Sequence, residues 1–267
     1  MMEKIGLIAG NGNLPIVFAQ VLGQKNLKVT AVAHRGETLS NLEEYVDRIF
    51  WIDVGQLQKL IEIFKEEQIS NVVMVGGITK ASMFSGIKPD ARAISLLSKL
   101  AHKKDDLLLR SFAKVLEKEG INVQSSARYL PSILAPKGVL TKGVPTKNQY
   151  KDITFGWDIA KGVGKLDIGQ TVVVKDQVIL AVEAIEGTDE TIKRGGRLGN
   201  GQVVVVKVSK PNQDMRFDIP VVGMETIRSL KEVKGAVLAI EAGNTIILEK
   251  EEMIRFADEE GISIVAI

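Results

Sequence analysis

The stretch KIGLIAGNGNLP, residues 4–15, sets the fold of the first half of the chain. Its apolar run, residues 4–9, predicts a buried strand, and residues 10–12 predict a tight turn after it. Apolar residues then recur at helical spacing at Leu14, Val17, Phe18, Val21 and Leu22. Pro15 fits this pattern, because proline is accommodated in the first turn of a helix. Strand, glycine turn and helix together open a doubly wound, Rossmann-like α/β unit.

The turn of Gly10, Asn11 and Gly12 is a candidate contact for the phosphate groups of a nucleotide. Glycine lets the backbone approach a ligand, and the N-terminus of the following helix favours an anion. The dinucleotide pattern G-x-G-x-x-G is incomplete, however, because Pro15 stands where the third glycine belongs. The second predicted strand also ends in HRGE, residues 34–37, where an NAD-binding fold carries an acid at the strand end. The sequence thus disfavours NAD, and it leaves a phosphate contact and a ligand-free turn both open.

Strands and helices keep alternating through the first half, as a parallel sheet flanked by helices requires. We predict strands at residues 28–34, 47–53, 71–75 and 122–126, and helices at residues 56–68, 91–100 and 105–119. The strand at 71–75 ends in a second glycine turn, GGITK, at the edge where doubly wound sheets bind ligands. Gly77, Thr79 and Lys80 are therefore further candidate contacts, although Lys80 is equally explained as a solvated loop lysine.

Residues 129–148 lose hydrophobic periodicity and are rich in proline and glycine, which is typical of a linker. We place a boundary at residue 136, which gives domains 1–136 and 137–267. In the second domain we predict strands at 170–175, 178–185, 202–208, 236–241, 245–248 and 262–267, and helices at 151–166, 189–196, 224–233 and 250–260. Thr188 is expected to cap the second of these helices. The predicted fold class is α/β, with an N-terminal Rossmann-like parallel-sheet domain and a distinct C-terminal mixed α/β domain.

The stretch of residues 183–223 is the densest run of chemically capable residues in the chain. Within it, the strand at residues 202–208 leads into a polar loop, KPNQDMRFDIP at residues 210–220. Lysine and arginine neutralise phosphate oxygens, and aspartate supplies hard oxygen ligands to a divalent metal. The loop therefore suits a site that handles phosphate and a metal ion. A polar loop between a strand and a helix is also commonly just solvated, and its aspartates can form a structural salt bridge with Arg216.

The composition excludes several classes of site. The chain of 267 residues has no cysteine and two histidines, which excludes disulfides, thiolate metal sites and a zinc site built on several histidines. A formal net charge of +2 and the lack of a basic tail argue against nucleic acid as a partner. The N-terminus lacks the pattern of a secretory signal, and no run of about 18 apolar residues occurs, so we expect a cytoplasmic protein.

Five motifs occur in order along the chain: IAGNGNLP at 8–15, VGGITK at 75–80, KDDLLLR at 104–110, EGTD at 186–189 and KPNQDMRFDIPVVG at 210–223. Together they resemble the LpxI-like family of UDP-2,3-diacylglucosamine pyrophosphatases of lipid A biosynthesis, across nearly the whole chain. The resemblance implies hydrolysis of the diphosphate of UDP-2,3-diacylglucosamine to UMP and 2,3-diacylglucosamine 1-phosphate (lipid X). It also implies a divalent metal, usually Mg2+, and attack by water on a phosphorus of the diphosphate.

For this chemistry the candidate catalytic residues are Asp214, Asp218 and Asp189, and the first two are also the candidate metal ligands. The candidate substrate contacts are the glycine and polar positions of the motifs: Gly10, Asn11, Gly12, Gly77, Thr79, Lys80, Thr188, Lys210, Gln213 and Arg216. No nucleophilic side chain is needed, because a positioned water can attack the phosphorus. That mechanism suits a chain without cysteine.

The expected partner is the lipid-linked nucleotide sugar itself. Because this substrate is a membrane lipid, the resemblance implies peripheral contact with the inner membrane without insertion. A homodimer is the default expectation for an enzyme of this kind. Two other functions stay open: a non-catalytic nucleotide-binding regulatory module, and a NADP-dependent oxidoreductase, for which Arg35 leaves an opening.

Overall fold

The computed structural model of the chain describes residues 3–78, 89–98, 105–211, 214–217 and 219–267. The chain divides into two compact units. Unit 1 comprises Met1–Pro131 together with Asp214–Asp218, and unit 2 comprises Ser132–Gln213 together with Ile219–Ile267. A short part of the polar loop therefore belongs to unit 1, although it is far from the rest of that unit in sequence.

The strands of unit 1 form one parallel sheet. They are β1 Lys4–Ala9, β2 Lys28–His34, β3 Arg48–Ile52, β4 Asn71–Val75 and β5 Asn122–Gln124. Their order is β3-β2-β1-β4-β5, and every neighbouring pair is parallel. Leu7 and Ile8 point to opposite faces of β1 and are both buried, as expected for a strand covered on both faces. The predicted Rossmann-like parallel sheet is confirmed.

Helices cover this sheet through their apolar faces. They are α1 Leu14–Gln24, α2 Leu57–Glu66, α3 Ala91–Ser98 and α4 Asp105–Lys118, with 3-10 turns at Ser40–Tyr45 and Ser126–Arg128. On α2 the predicted face of Leu57, Leu60, Ile61 and Phe64 is buried. It packs in one cluster with Val32 of β2.

Unit 2 contains a mixed sheet, so the second half of the predicted fold class is also confirmed. Its strands are β6 Gly138–Val139, β7 Thr171–Lys175, β8 Val178–Val182, β9 Val204–Lys207, β10 Val221–Val222, β11 Val237–Ile240, β12 Ile246–Ile247 and β13 Ser263–Ala266. Six of them follow the order β6-β13-β11-β9-β7-β8, and β10 pairs with β12. Strands β9, β11 and β13 are parallel, whereas β7 is antiparallel to β9 and forms the predicted hairpin with β8.

The helices of unit 2 pack on both faces of its sheet. They are α5 Lys147–Lys165, α6 Thr188–Gly199, α7 Met224–Glu232 and α8 Lys250–Glu259, and a 3-10 turn lies at Pro131–Ile133. A Cβ on Gly156 of α5 would lie 2.7 Å from the Val174 side chain, and one on Gly195 of α6 would lie 2.6 Å from that of Val173. Because Val173 and Val174 point to opposite faces of β7, the two helices cover opposite faces.

The prediction that Thr188 caps α6 is wrong. The cap residue is Gly187, at φ 85°, and it makes no side-chain capping bond. The helix begins at Thr188 itself and continues to Gly199. The Thr188 hydroxyl is unavailable for capping because it bonds to Glu183 and Lys207.

Two further differences concern the segment predicted as a linker. Strand β6 lies within it and pairs with β13. Helix α5 also begins earlier than predicted, at Lys147, because Thr146 and Gln149 form a capping box.

Candidate active site

The two glycine turns of unit 1 lie against each other at the carboxyl ends of β1 and β4. The backbone N–H of Gly10 donates to the Val75 carbonyl at 2.8 Å, and that of Asn11 donates to the Gly77 carbonyl at 2.8 Å. A Cβ on Gly10 would lie 2.2 Å from the Gly77 oxygen, so a larger residue does not fit there. The backbone donors of Gly10 and Asn11 are thus used within the fold. Gly12, at φ 78°, has open space beside its Cα.

A buried carboxylate, Glu37, closes this edge of the sheet. Glu37 is 6% exposed and accepts a hydrogen bond of 3.2 Å from Nδ2 of Asn11. Oδ1 of Asn11 accepts from the Gly77 N–H at 3.2 Å, so Asn11 joins the acid to both turns. Gly36, at φ 78°, is suited to reversing the chain after β2 and so to bringing Glu37 back to the turn. In the sequence this acid stands three residues beyond the end of β2. Its position beside the glycine turns follows from the chain reversal, which the sequence analysis did not predict.

His34 and Thr38 complete the network at the end of β1. The Thr38 hydroxyl donates to the Ala9 carbonyl at 2.7 Å and accepts from the His34 N–H at 3.0 Å. Nδ1 of His34 lies 2.8 Å from the same carbonyl. Burial lowers the pKa of His34, against the opposing influence of the Ala9 carbonyl and of Glu37. The ring is therefore neutral at pH 7, and it anchors the turn without adding charge to it.

Asp214 is held in a bidentate pair by Arg216. Nε of Arg216 donates to Oδ1 at 2.9 Å and Nη2 donates to Oδ2 at 2.8 Å. Nη1 donates to Glu117 of α4 at 2.7 Å, and Arg110 of α4 lies 3.7 Å from Oδ2 of Asp214. The Arg216 guanidinium holds the pKa of Asp214 below its usual range, so this side chain is a carboxylate at neutral pH. The pairing with Arg216 that the sequence left open is present.

Apolar and backbone contacts attach the same segment to unit 1. Phe217 packs against the core cluster of that unit. The Arg216 guanidinium lies 4.8 Å from the centre of the Phe217 ring. The Ser125 hydroxyl donates to the Met215 carbonyl at 2.7 Å. The conformation that pairs Asp214 with Arg216 is therefore anchored at Met215, between the two residues, and at Phe217, directly after them.

In unit 2, charged side chains meet where β9 ends and α6 begins. Lys207, the last residue of β9, is 6% exposed, and its Nζ atom donates to Oγ1 of Thr188 at 3.0 Å and to the Val221 carbonyl at 2.8 Å. The Thr188 hydroxyl donates to Oε1 of Glu183 at 3.0 Å, and Oε2 accepts from the Gln170 N–H at 3.1 Å. Thr188 thus links a buried lysine to a buried carboxylate. Sequence reasoning missed both; the available signal was a lysine ending a strand of valines.

Asp189, the predicted catalytic residue of unit 2, lies next to Thr188 in the first turn of α6. Burial raises the pKa of its carboxyl group, and Glu225 and Glu183 add to this effect, whereas Lys207 and Lys193 oppose it. Among the residues that the structure describes, none donates a hydrogen bond to this carboxylate. A partly buried carboxylate with a raised pKa is typical of a group that accepts a proton during a reaction.

The start of the polar loop is fixed by two ion pairs. Lys210, a predicted phosphate contact, donates from Nζ to Asp167 at 2.7 Å. Glu241 accepts from the Ser209 hydroxyl at 2.6 Å and from Nζ of Lys161 at 2.6 Å. Burial alone would raise the pKa of Glu241, but hydrogen bonds from Lys161 and Ser209 bring it below its usual range. Glu241 therefore stays ionised and holds the strand end from which the loop departs.

The predicted site residues thus fall into separate groups. The glycine turns bring Gly10, Asn11 and Gly77 together, the ion pair joins Asp214 to Arg216, and Thr188 and Asp189 open one helix. Four predicted residues, Thr79, Lys80, Gln213 and Asp218, lie outside the described residues, and their roles stay predictions.

Family models match both halves of the chain. The LpxI N-terminal domain matches residues 4–133, and the LpxI C-terminal domain matches residues 136–265. The chain belongs to the LpxI family. A protein of Caulobacter vibrioides (strain ATCC 19089 / CIP 103742 / CB 15), named UDP-2,3-diacylglucosamine pyrophosphatase LpxI, is 31% identical over 277 aligned positions, which cover 100% of this chain and 98% of that protein. The resemblance drawn from the five motifs is confirmed.

Solved structures resemble the chain only weakly. The biotin carboxylase domain of the Hydrogenobacter thermophilus 2-oxoglutarate carboxylase is 13% identical, with 74% of this chain and 42% of that chain covered and a TM-score of 0.28. The biotin carboxylase subunit of a pyruvate carboxylase is 12% identical, with 73% and 42% covered and a TM-score of 0.27. The chain spans less than half of either protein chain, and similarity at this level carries no argument about the fold or function of this LpxI family member.

A divalent metal is implied by the LpxI resemblance, and the described residues do not by themselves form a site for one. Within those ranges no group of three or more histidine, aspartate or glutamate side chains could hold a metal ion. Arg216 occupies both carboxylate oxygens of Asp214, the described member of the predicted ligand pair. No helix in the described part of the chain is long and apolar enough to cross a membrane.

Proposed function

We propose that this LpxI family member hydrolyses the diphosphate of UDP-2,3-diacylglucosamine in lipid A biosynthesis. One water is consumed, one P–O–P bond breaks, and the products are UMP and 2,3-diacylglucosamine 1-phosphate (lipid X). The observation that carries the proposal is the match of both LpxI domains along the chain, together with a curated relative of that name over its full length. The site chemistry supports it, because phosphoanhydride hydrolysis requires a group to accept a proton from water and cations to balance the phosphate charge.

Within unit 2 we assign the proton-accepting role to Asp189. Its carboxylate is partly buried, has a raised pKa and receives no hydrogen bond from the described residues. Lys207 supplies a buried positive charge nearby. Asp214 suits this role less well, because two nitrogen atoms of Arg216 already occupy its oxygens. Asp214 and Asp218 remain proposals as further catalytic residues and as ligands of Mg2+.

Within unit 1 we propose that the glycine turns contact the nucleotide part of the substrate. Gly12 is the supporting position, because its Cα borders open space and it precedes Asn13, the N-cap residue of α1. Gly10 and Gly77 contribute by keeping the two backbone turns in contact, which larger residues would prevent. We also propose that the protein is cytoplasmic, that it contacts the inner membrane peripherally and that it forms a homodimer. Each of these properties rests on the nature of the substrate or on general expectation.

The test is release of UMP from UDP-2,3-diacylglucosamine by the purified full-length protein, first with Mg2+ and then with EDTA. We expect UMP and lipid X in equal amounts. Loss of both products with EDTA would support the proposed divalent metal, and unchanged turnover with EDTA would rule it out. In water labelled with oxygen-18, label in lipid X would place the attack on the sugar-side phosphorus, and label in UMP would place it on the other one. Substrate binding without any product would overturn the proposal in favour of a regulatory module.

A further inference from the structure

Lys207 is a buried lysine at the carboxyl end of an interior strand, β9, and no predicted role accounts for it. A buried ammonium group is unfavourable unless its hydrogens reach acceptors and its charge is balanced. Two acceptors are Oγ1 of Thr188 at 3.0 Å and the carbonyl of Val221 at 2.8 Å. The lysine therefore bonds to the first residue of α6 and to β10.

The hydrogen bond to Thr188 continues to a second buried charge. Glu183 is 7% exposed and follows directly after β8. Because the Thr188 hydroxyl donates its hydrogen to Glu183, its oxygen is left to accept from Lys207. The series Lys207–Thr188–Glu183 thus ties the end of β9, the start of α6 and the end of β8 into one polar network.

The same lysine is a buried cation near Asp189. Among the described residues, the charged groups that act on Asp189 are Lys207 of β9, Glu225 of α7, Glu183 after β8, and Lys193 of the same helix. Lys193 is less buried and its Nζ atom lies 3.1 Å from Glu190. Lys207 is therefore placed to offset the two carboxylates that disfavour the ionised form of Asp189.

We propose that Lys207 is a positioning residue of the hydrolysis, which holds Thr188 and so the start of α6, where Asp189 lies. This inference rests on the function proposed above. A neutral side chain at position 207 would leave the acceptors on Thr188 and Val221 without their donor. It would also remove the stronger of the two cationic influences, Lys207 and Lys193, that favour a charged Asp189.

The experiment compares Lys207→Met and Lys207→Arg with the wild type, as kcat and KM between pH 5 and pH 9. For Lys207→Met we expect kcat at pH 7 to fall about 100-fold with KM nearly unchanged, the lower end of what a positioned acid–base group contributes. The acid limb of its pH profile should move to higher pH, because losing the cation raises the pKa of Asp189 further. Lys207→Arg keeps the charge and should leave the acid limb where it is in the wild type.

Lys175→Met is the matched control. Nζ of Lys175 donates to the carbonyls of Gly199 and Gly201 at 2.7 and 3.1 Å, at the opposite end of α6. This variant loses a lysine of the same sheet and two hydrogen bonds of similar kind. We expect it to lose stability and to keep the wild-type pH profile, which separates positioning of Asp189 from general support of the helix.

Carbon-13 NMR titration of the aspartate carboxyl groups tests the inference without turnover, with Asp189→Asn providing the assignment. An upward move of the Asp189 titration in Lys207→Met, and none in Lys175→Met, would support it. A wild-type acid limb in a folded, active Lys207→Met would overturn it. If the wild type released no UMP, the proposed function would fall, and the titration would still decide whether Lys207 acts on Asp189.

Thr188→Val covers the case in which Lys207→Met does not fold. Valine keeps the shape of threonine and removes the hydroxyl that joins Lys207 to Glu183. Because the cation remains, we expect a lower kcat, by about 10-fold, without a shift of the acid limb. An unchanged kcat in this variant would overturn the positioning role.

Discussion

Asp214 in unit 1 and Asp189 in unit 2 are the same residue type in opposite surroundings. Arg216 holds both oxygens of Asp214 and lowers its pKa. Asp189 receives no hydrogen bond from the residues within the described ranges, and burial raises its pKa. The difference shows that the presence of an aspartate in a polar motif does not by itself identify it as the group that reacts. We therefore expect Asp214 to contribute mainly to the stability of its segment, and we propose Asp189 as the group that takes up a proton.

The largest effect should follow Asp189→Asn. The amide keeps the size of the side chain and cannot accept a proton, so we expect kcat to fall about 1,000-fold. The measurement is UMP release at saturating substrate, with circular dichroism to establish folding. Glu190→Gln is the matched control, because Glu190 is the next acid of the same helix and pairs on the surface with Lys193 at 3.1 Å. A wild-type kcat in Asp189→Asn would contradict the proton-accepting role proposed for Asp189.

Asp214→Asn should act on stability instead. It removes a charge-assisted pair whose carboxylate side chain is 13% exposed, and we expect a loss of about 1–2 kcal/mol in the free energy of unfolding. Urea denaturation measures this quantity. Asp189→Asn in the same assay should lose nothing, since it removes a charge that burial disfavours. If Asp189→Asn proved the less stable of the two, the assignment of roles would be reversed.

The sequence predicted most elements because their signals are local. Apolar runs and helical spacing found β1, α2 and the hairpin of β7 and β8, and the pairing of Asp214 with Arg216, two residues away, was foreseeable. The contacts of Lys207 with Thr188 and Val221 join residues 19 and 14 positions apart. Such contacts depend on the strand order of a mixed sheet, which periodicity does not encode.

Glycine patterns illustrate the same limit at the first sheet. The glycine patterns predicted two turns at strand ends, and both are present. They did not predict that Gly10 and Gly77 would pack against each other, because this contact spans 67 residues and follows from β1 and β4 being neighbours. A glycine in a pattern typical of ligand binding can therefore be required for the packing of the fold, whether or not it contacts a ligand.

The pH dependence of stability should separate the two aspartates by sign. The pKa of Asp214 is lowered, so its stabilisation is complete above the pKa of an unfolded aspartate, about 4, and disappears as the pH falls through its lower folded value. The pKa of Asp189 is raised, so wild-type stability decreases as the pH rises from about 4 through the folded value.

Thermal unfolding between pH 3 and pH 7 measures this difference. The deficit of Asp214→Asn relative to the wild type should be greatest near pH 7 and shrink toward pH 3. The gain of Asp189→Asn should be absent at pH 3 and appear as the pH rises. Parallel curves for the two variants would contradict the opposite pKa shifts.

The smallest effect should come from Glu117→Gln. This variant tests how much of the stabilisation by Arg216 comes from its pair with Glu117 and how much from its pair with Asp214. Glu117 accepts from Nη1 of the same guanidinium that holds Asp214, but its side chain is 39% exposed, against 13% for Asp214. Because water screens an exposed pair, we expect a loss of about 0.5 kcal/mol or less in urea denaturation. The double variant with Asp214→Asn should lose more than the sum of the two single losses. Once Asp214 is replaced, Glu117 is the carboxylate among the described residues that still holds Arg216 through a hydrogen bond. Strict additivity would mean that Arg216 stays in place through its stacking on Phe217, and the ion pair would then be a consequence of the packing.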